Sequence, residues 1–159
     1  PHSHIIFLLH TNFATTMAVL SPFDLGLECL SNLACAFSYS SFEKSSFKSN
    51  ADFTGVQFRG GVSFNKTTFE MEAKFISANF SVDAIFLKTD FRYTANFQKS
   101  RFACETMFMD SQFGGKTDWS NIYAAGLINL TNASFGSRLE CIGSYFIGGL
   151  QMAKCPFCF

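Results

Sequence analysis

Residues 73–102 read AKFISANFSVDAIFLKTDFRYTANFQKSRF, and in this stretch a Phe returns after alternating steps of five and six residues. The positions concerned are Phe75, Phe80, Phe86, Phe91, Phe97 and Phe102. Residues eleven apart are therefore equivalent, and each period contains two Phe residues. A fixed internal period is typical of repeat architectures, in which every repeat adds a layer to one continuous core.

The same spacing continues on both sides of this stretch. In steps of eleven, the first series is Phe42, Phe53, Phe64, Phe75, Phe86, Phe97, Phe108, Trp119, Leu130, Cys141 and Met152. The second series is Phe47, Phe58, Phe69, Phe80, Phe91, Phe102, Phe113, Ala124, Phe135, Phe146 and Phe157. Seventeen of the 22 Phe residues belong to these two series. We therefore predict that both series form a buried ladder of aromatic side chains.

An α-helix does not explain the spacing. At about 100° per residue, steps of five and six place the two series about 140° apart on a helix, rather than on one stripe. The intervening residues are mainly Ser, Thr, Asn and Gly, which are poor helix formers. A small residue lies two positions before most Phe residues, as Ala73 does before Phe75, and alternate residues of a strand share a face. Each step is therefore predicted to be one short strand followed by a corner.

Several units match a known repeat. ADF at residues 51–53, AKF at 73–75 and ANF at both 78–80 and 95–97 resemble the A-(D/N)-(L/F)-x-x unit of pentapeptide-repeat proteins. The resemblance covers residues 37–157, with one added residue in every second unit, a variant also found among bacterial members. It implies an all-β fold, a right-handed quadrilateral parallel β-helix with four short sides per coil. Sides of five, six, five and six residues would stack residues that are 22 positions apart.

One inward position is small. Ala124 interrupts the second series and lies among other small residues, beside the single Trp of the chain, Trp119. A small residue in an aromatic ladder leaves unfilled volume, which is costly in a packed core. We predict that Trp119 partly fills this space and that the backbone is irregular over residues 120–127.

The segment before the repeat shows a helix-start pattern. Pro22 follows a Ser and precedes Asp24, and apolar residues then recur at helical spacing. We predict a short capping helix over residues 21–37, which would cover the open first coil of the solenoid. The solenoid itself is predicted over residues 38–159.

Residues 1–20 form an apolar segment of uncertain status. They lack the positive charge of a signal peptide and are marginal in length for a spanning helix. A further cap or strand, a truncated export or membrane segment and non-native sequence remain alternatives. Because the chain starts at Pro1 rather than Met and ends at Phe159 without a visible cap, we expect a fragment or one domain of a longer protein, and an uncapped end that permits a homodimer.

Charge gives a weak indication of a binding face. Twelve basic and twelve acidic residues leave no formal net charge, so no whole-chain attraction to nucleic acid or anionic membranes is expected. On the outward phase of the repeat, however, a 22-residue step aligns Lys44, Lys66 and Lys88. An adjacent column contains Lys48 and Arg92, separated by Glu70. These five cations are predicted as a weak basic binding face, and ordinary solubilising charge is the alternative.

The sequence predicts no enzyme, cofactor or metal site. Catalysis needs polar groups that converge in a pocket, whereas the residues specified here fill a core. His2, His4 and His10 all lie outside the repeat, and the single C-x-x-C, Cys155 to Cys158, has no second pair for zinc and no helix to activate a thiolate. The Asn-x-Ser/Thr matches carry little information in a repeat rich in these residues.

Three functions remain open. The favoured hypothesis is a non-catalytic scaffold that presents a rigid β surface to a protein partner. The family resemblance implies a second hypothesis, because some pentapeptide-repeat members are DNA mimics that bind type II topoisomerases. Mimicry needs a strongly acidic rod, which the charge balance does not favour. The third is a membrane-tethered solenoid domain of a larger protein; a cytoplasmic location is favoured over a membrane-associated one.

Overall fold

The computed structural model describes residues 18–19, 24–25 and 39–156, with side chains over residues 39–156. Within these ranges every regular element is a strand of two or three residues, and there is no helix. Each strand pairs in parallel with the strand one coil before it or after it, at a constant offset of 22 residues, as in Ala84 with Thr106. The predicted parallel β-solenoid with a 22-residue coil is therefore confirmed.

Four sheets form the four sides of the solenoid. The first sheet contains β1 (Ala18–Val19), β3 (Tyr39–Ser41), β7 (Gly61–Ser63), β11 (Ala84–Ile85), β15 (Thr106–Met107), β19 (Ile128–Asn129) and β23 (Leu150–Gln151). The second contains β2 (Asp24–Leu25), β4 (Ser46–Phe47), β8 (Thr68–Phe69), β12 (Asp90–Phe91), β16 (Gln112–Phe113) and β20 (Ser134–Phe135). The third contains β5 (Ala51–Asp52), β9 (Ala73–Lys74), β13 (Ala95–Asn96), β17 (Thr117–Asp118) and β21 (Leu139–Glu140). The fourth contains β6 (Gln57–Phe58), β10 (Asn79–Phe80), β14 (Arg101–Phe102), β18 (Tyr123–Ala124) and β22 (Tyr145–Phe146).

The interior is a set of stacked aromatic columns. Phe64 and Phe86, one coil apart, have ring centroids 4.9 Å apart and planes that differ by 8°. Columns on opposite sides of the solenoid, those of the first and third sheets, meet edge to face, as Phe75 does with Phe86 at 5.5 Å and 90°. Stacked and edge-to-face rings each add about 0.5–1.5 kcal/mol to the free energy gained by burying the apolar area. The aromatic ladder is therefore continuous in two directions, along the solenoid and across it.

The alternation of five- and six-residue steps reflects two kinds of corner. After each first-series residue the chain makes a four-residue turn: the N–H of Thr67 donates to the carbonyl of Phe64 at 3.0 Å, and Lys66 has a φ of 59°. A positive φ at the third residue identifies a type II turn. The same position is occupied by Lys44, Gly55, Lys66, Ser77, Lys88, Lys99, Asp110, Asn121, Asn132, Gly143 and Lys154. The six-residue steps make the wider corners.

Some inward hydroxyl groups donate hydrogen bonds to backbone carbonyls inside the solenoid. The hydroxyl of Thr89 donates to the carbonyl of Phe64 at 2.9 Å, and that of Thr67 donates to the carbonyl of Phe42 at 2.6 Å. Both hydroxyls are fully buried, where an unpaired polar group costs about 1–3 kcal/mol. The bonds satisfy Thr67 and Thr89 at the small inward position, whereas the buried hydroxyls of Thr106 and Thr117 have no hydrogen-bond partner within residues 39–156.

The structure changes the interpretation of Ala124. The strand Tyr123–Ala124 keeps the 22-residue register with both neighbours, so the predicted backbone irregularity over residues 120–127 is wrong. The Trp119 ring is instead rotated out of the parallel stack. Its plane is inclined by 80° to that of Phe97, and its centroid lies 6.4 Å from that of Phe146, in the coil after Ala124. Side-chain reorientation preserves the backbone register beside the small residue.

Gly126, two residues after Ala124, is needed for a separate reason. A Cβ added to Gly126 would lie 2.1 Å from the backbone of Cys104, because the corners of successive coils approach closely there. No side chain fits at that distance without a backbone shift. The small residues that follow Ala124 are therefore explained by the close approach of two corners, and not by a break in the fold.

The structure corrects the predicted capping helix over the two residues of that segment that it describes. Asp24–Leu25 forms a strand that pairs with Ser46–Phe47, rather than a helical turn. The reason is that Leu25 lies 22 residues before Phe47, so the solenoid register begins earlier than the Phe spacing indicates. The remainder of residues 21–37 lies outside the described residues. Ala18–Val19 is also a strand, and it pairs with β3.

The last described coil is less enclosed than those before it. Leu139, Phe146, Leu150 and Met152 pack against the core but are only partly buried. Phe157 lies outside the described residues. A homodimer through an uncapped end stays a prediction. The described part of the chain contains no apolar helix of the length needed to cross a membrane.

Candidate functional site

Lys44, Lys66 and Lys88 share one corner of the solenoid, between the first and second sheets. We call these three residues the lysine column. Each is exposed and is the third residue of a type II turn, with φ between 55° and 59°. The N–H of each donates to a carbonyl of the next coil, so the turns stack at the spacing of neighbouring strands, about 4.8 Å. No carboxylate within residues 39–156 forms an ion pair with any of the three ammonium groups.

Lys48 and Arg92 lie apart from that column, at the far edge of the second sheet. Lys48 pairs with Glu70, and the Arg92 guanidinium lies 3.8 Å from Glu70 and 3.1 Å from Asp90. The hydrogen bond from Lys48, with help from Ser46, lowers the pKa of Glu70 below its ordinary value. The five predicted cations therefore separate into the lysine column and an ion-paired cluster whose charge is largely neutralised.

Beside the lysine column lies an apolar strip that the sequence reasoning missed. It consists of Ile85, Leu87, Met107 and Met109, all partly exposed, on the outward side of the first sheet. Ile85 is the register partner of Met107, and the carbonyls of Leu87 and Met109 accept hydrogen bonds from the N–H groups of the lysine column. Reading the outward positions at 22-residue steps, as was done for the lysines, would have revealed this strip.

The opposite border of the apolar strip is acidic. Asp83 and Glu105 each precede an inward residue of the first sheet and lie at the corner shared with the fourth sheet. The border of the strip toward the second sheet is basic at Lys88 and acidic at Asp110, which continues the same turn column beside Met109, and the opposite border is acidic. We use the term first face for the lysine column, the apolar strip and these two carboxylates.

A second missed surface is aromatic and basic. Arg101, Tyr123 and Tyr145 are register partners on the outward side of the fourth sheet, and all three are exposed. The Arg101 guanidinium lies 5.0 Å from the ring centroid of Tyr123, within the range of a cation–π contact. Ile147 is exposed beside Tyr145. Outward columns of this sheet were not read from the sequence because the Phe period specifies only inward positions.

The third sheet holds a compensated charge cluster. The Lys116 ammonium lies 2.8 Å from Glu140 and 3.6 Å from Asp118, and Arg138 pairs with Glu140. Burial, the largest single influence, acts to raise the pKa of Asp118, but hydrogen bonds from Ser120 and the amide of Gln98 outweigh it and lower the pKa. Because its charges are paired, we interpret this cluster as structural.

Cys141 and Cys155 are poorly suited to nucleophilic chemistry. Burial, followed by the nearby Asp118 carboxylate, raises the pKa of Cys141 to about 11. Burial also raises the pKa of Cys155, whose thiol donates to the carbonyl of Leu130, as the hydroxyl of Thr89 does to Phe64 three coils earlier. Cys158 and the three His residues lie outside the described residues. Within the described ranges no group of three or more His, Cys, Asp or Glu side chains is arranged to hold a metal ion.

Comparison with known proteins assigns no function to these surfaces. No family model, curated protein or solved structure matches this chain. What is established is a β-solenoid repeat protein with about five turns and four sheets. Functional inference therefore depends on the outward residues of the solenoid.

Proposed function

We propose that this chain is a non-enzymatic, protein-binding solenoid of the pentapeptide-repeat class, and that a partner docks on the first face. The observation that carries the proposal is the apolar strip beside Lys88, which is the end of the lysine column nearest to the strip and forms no ion pair within residues 39–156. A rigid solenoid supports such a surface well, because every outward side chain is attached to a backbone paired on both sides. Binding then requires little ordering of the solenoid itself, which reduces the entropic cost of association.

The apolar strip supports a protein partner. Ile85 and Met107 are placed side by side by strand register, and Leu87 and Met109 extend the strip toward the corner. Adjacent exposed apolar groups rimmed by polar residues mark interaction sites. Methionine is enriched in interfaces and adapts its shape to the surface it meets. These four side chains would form the centre of the interface.

The backbone conformation of the lysine column recurs in every coil. An L-residue in the left-handed region costs about 1–2 kcal/mol, and glycine avoids most of this cost. Gly55 and Gly143 occupy the equivalent turn position elsewhere in this chain. In the lysine column the same position is occupied by lysine instead of glycine. Ser77, Lys99 and Asn121 adopt the same φ, so this conformation belongs to every coil, and the lysine column supports the proposal through its charge, which no carboxylate within residues 39–156 pairs with.

The borders of the first face define the chemistry of the partner. A segment that fits would place apolar side chains on the strip, carboxylates against Lys66 and Lys88, and cations against Asp83 and Glu105. Opposite charges on the two borders favour such a segment by charge complementarity and fix its orientation. An amphipathic protein segment with both signs of charge meets these requirements.

A DNA-mimic function has less support. All twelve Lys and Arg residues lie within residues 39–156, whereas Asp24 and Glu28 of the twelve acidic residues precede this range. The coils therefore carry a slight excess of positive charge, opposite to the phosphate charge of a duplex.

The proposal is tested by capture of partners from a cell extract with immobilised solenoid. The double variant Ile85→Lys/Met107→Lys places two charges on the apolar strip, and the matched control Thr68→Lys/Gln112→Lys places the same two charges outward on the second sheet. A partner retained by wild type and control, with affinity for the first variant lowered about tenfold or more, supports the proposal.

Folding of both variants is checked by circular dichroism and thermal melting. Equal retention of every captured protein by the two double variants contradicts docking on the first face. The absence of any protein captured by the wild-type solenoid contradicts the protein-binding function itself.

A further inference from the structure

The outward side of the fourth sheet carries cations and aromatic groups but no carboxylate. Its strand positions are Gln57, Asn79, Arg101, Tyr123 and Tyr145. The turn column at one edge is Gly55, Ser77, Lys99, Asn121 and Gly143, and the column at the other edge is Arg59, Ser81, Ala103, Ala125 and Ile147. We call these three columns the fourth face. The acidic residues Asp83 and Glu105 lie beyond it, at the corner with the first sheet.

The apolar part of the fourth face is well exposed. Tyr145 is 64 % exposed, Ile147 is 65 % exposed and Tyr123 is 40 % exposed. Ile142, at the adjoining turn, is 73 % exposed. Large apolar side chains on a lateral surface bring no benefit to the aromatic core, because they point away from it. Tyr and Ile clustered in this way have the composition of an interface centre.

The cationic part lies next to the apolar part. Arg101 is held against the Tyr123 ring at 5.0 Å, which orders the guanidinium on the surface. Within residues 39–156, Arg101, Arg59 and Lys99 form no ion pair with a carboxylate. An ordered guanidinium without a carboxylate partner is suited to bidentate recognition of one from another molecule.

We infer that the fourth face is a second interaction surface, separate from the first face, and that it binds an acidic protein segment containing aromatic or aliphatic residues. The carboxylates of the segment meet Arg101 and its neighbouring cations, and its apolar side chains pack on Tyr145 and Ile147. Charge complementarity selects this occupant, because the whole fourth face lacks a negative charge. A nucleic-acid strand is a poorer match, since it requires a cation for each of many phosphates, whereas the fourth face holds only Arg59, Lys99 and Arg101.

The inference is tested with a labelled random copolymer of Glu and Tyr as the probe, followed by fluorescence anisotropy with the full chain. We expect wild type to bind the copolymer, and Tyr145→Ala/Ile147→Ala and Arg101→Gln each to weaken binding about tenfold. The matched control is Tyr93→Ala, because Tyr93 is 60 % exposed at a corner beyond the second sheet. This control is expected to bind as wild type does.

Other outcomes overturn the inference. An equal loss of binding in Tyr93→Ala shows that any exposed tyrosine suffices, and equal binding of polyglutamate shows that the apolar contacts contribute nothing. Tighter binding of an oligothymidylate strand than of the copolymer assigns the fourth face to nucleic acid. Absence of copolymer binding also rejects the inference. Ile85→Ser/Met107→Ser, which removes the apolar centre of the first face without adding charge, should leave copolymer binding unchanged, so the two surfaces can fail independently.

Discussion

Replacing Lys66 by glycine is expected to stabilise the solenoid, although it removes a charged side chain from the surface. Lys66 has a φ of 59° at the third position of a type II turn, where an L-residue costs about 1–2 kcal/mol. Glycine removes this cost but loses about 0.5–1 kcal/mol more backbone entropy on folding. The net expected gain in the free energy of unfolding is about 0.5–1 kcal/mol, since the two effects partly cancel.

The measurement is urea unfolding followed by circular dichroism, with Lys66→Ala as the matched control. Alanine removes the same ammonium group but keeps the Cβ that makes a positive φ costly, so Lys66→Gly should be more stable than Lys66→Ala by about 1 kcal/mol. Equal stability of the two variants would refute the assignment of strain to this turn. The same comparison at Lys88, with a φ of 55°, should give a similar difference.

Two further predictions concern the interior. Phe75→Ala should lower the free energy of unfolding by about 3–5 kcal/mol in urea titrations, and Phe146→Ala by clearly less, because Phe75 is fully buried and Phe146 is partly exposed; equal losses would argue against the enclosed ladder. The raised pKa of Cys141, about 11, means that the unfolded thiol ionises first, so its contribution to stability is present below about pH 9 and is lost as the pH rises toward 11. Cys141→Ala should therefore lose less of its free energy of unfolding than the wild type between pH 8.5 and pH 11. The same pH dependence in both proteins would contradict the raised pKa of Cys141.

The inward half of this protein is predictable from its sequence. A Phe such as Phe86 recurs in register because each coil repeats the same local geometry, so the period is visible without knowledge of the fold. The prediction failed over residues 24–25. Leu25 pairs in register with Phe47, yet a single Leu among helix-like spacing indicates a helix as readily as a strand.

The outward half was predicted only in part. The lysine column was found because lysines were sought at 22-residue steps, but the strain of its turns was not, since Lys has no sequence preference that indicates a positive φ. The pairing of Lys48 and Arg92 with Glu70 was also not foreseen. Glu70 lies one coil from each cation in the same column, so the 22-residue step indicates their proximity, whereas the contact of Arg92 with Asp90 depends on how the guanidinium turns on the sheet.

The sequence by itself determined the period, the inward columns and the coil of 22 residues, because burial of an aromatic side chain is a local requirement repeated at every step. Only the tertiary structure decided how Trp119 turns beside Ala124, which corners are type II turns, and which outward charged groups form ion pairs or cation–π contacts. Strand register brings Arg101, Tyr123 and Tyr145 together from three successive coils. Their proximity is a property of stacking, and single-residue preferences contain no information about it.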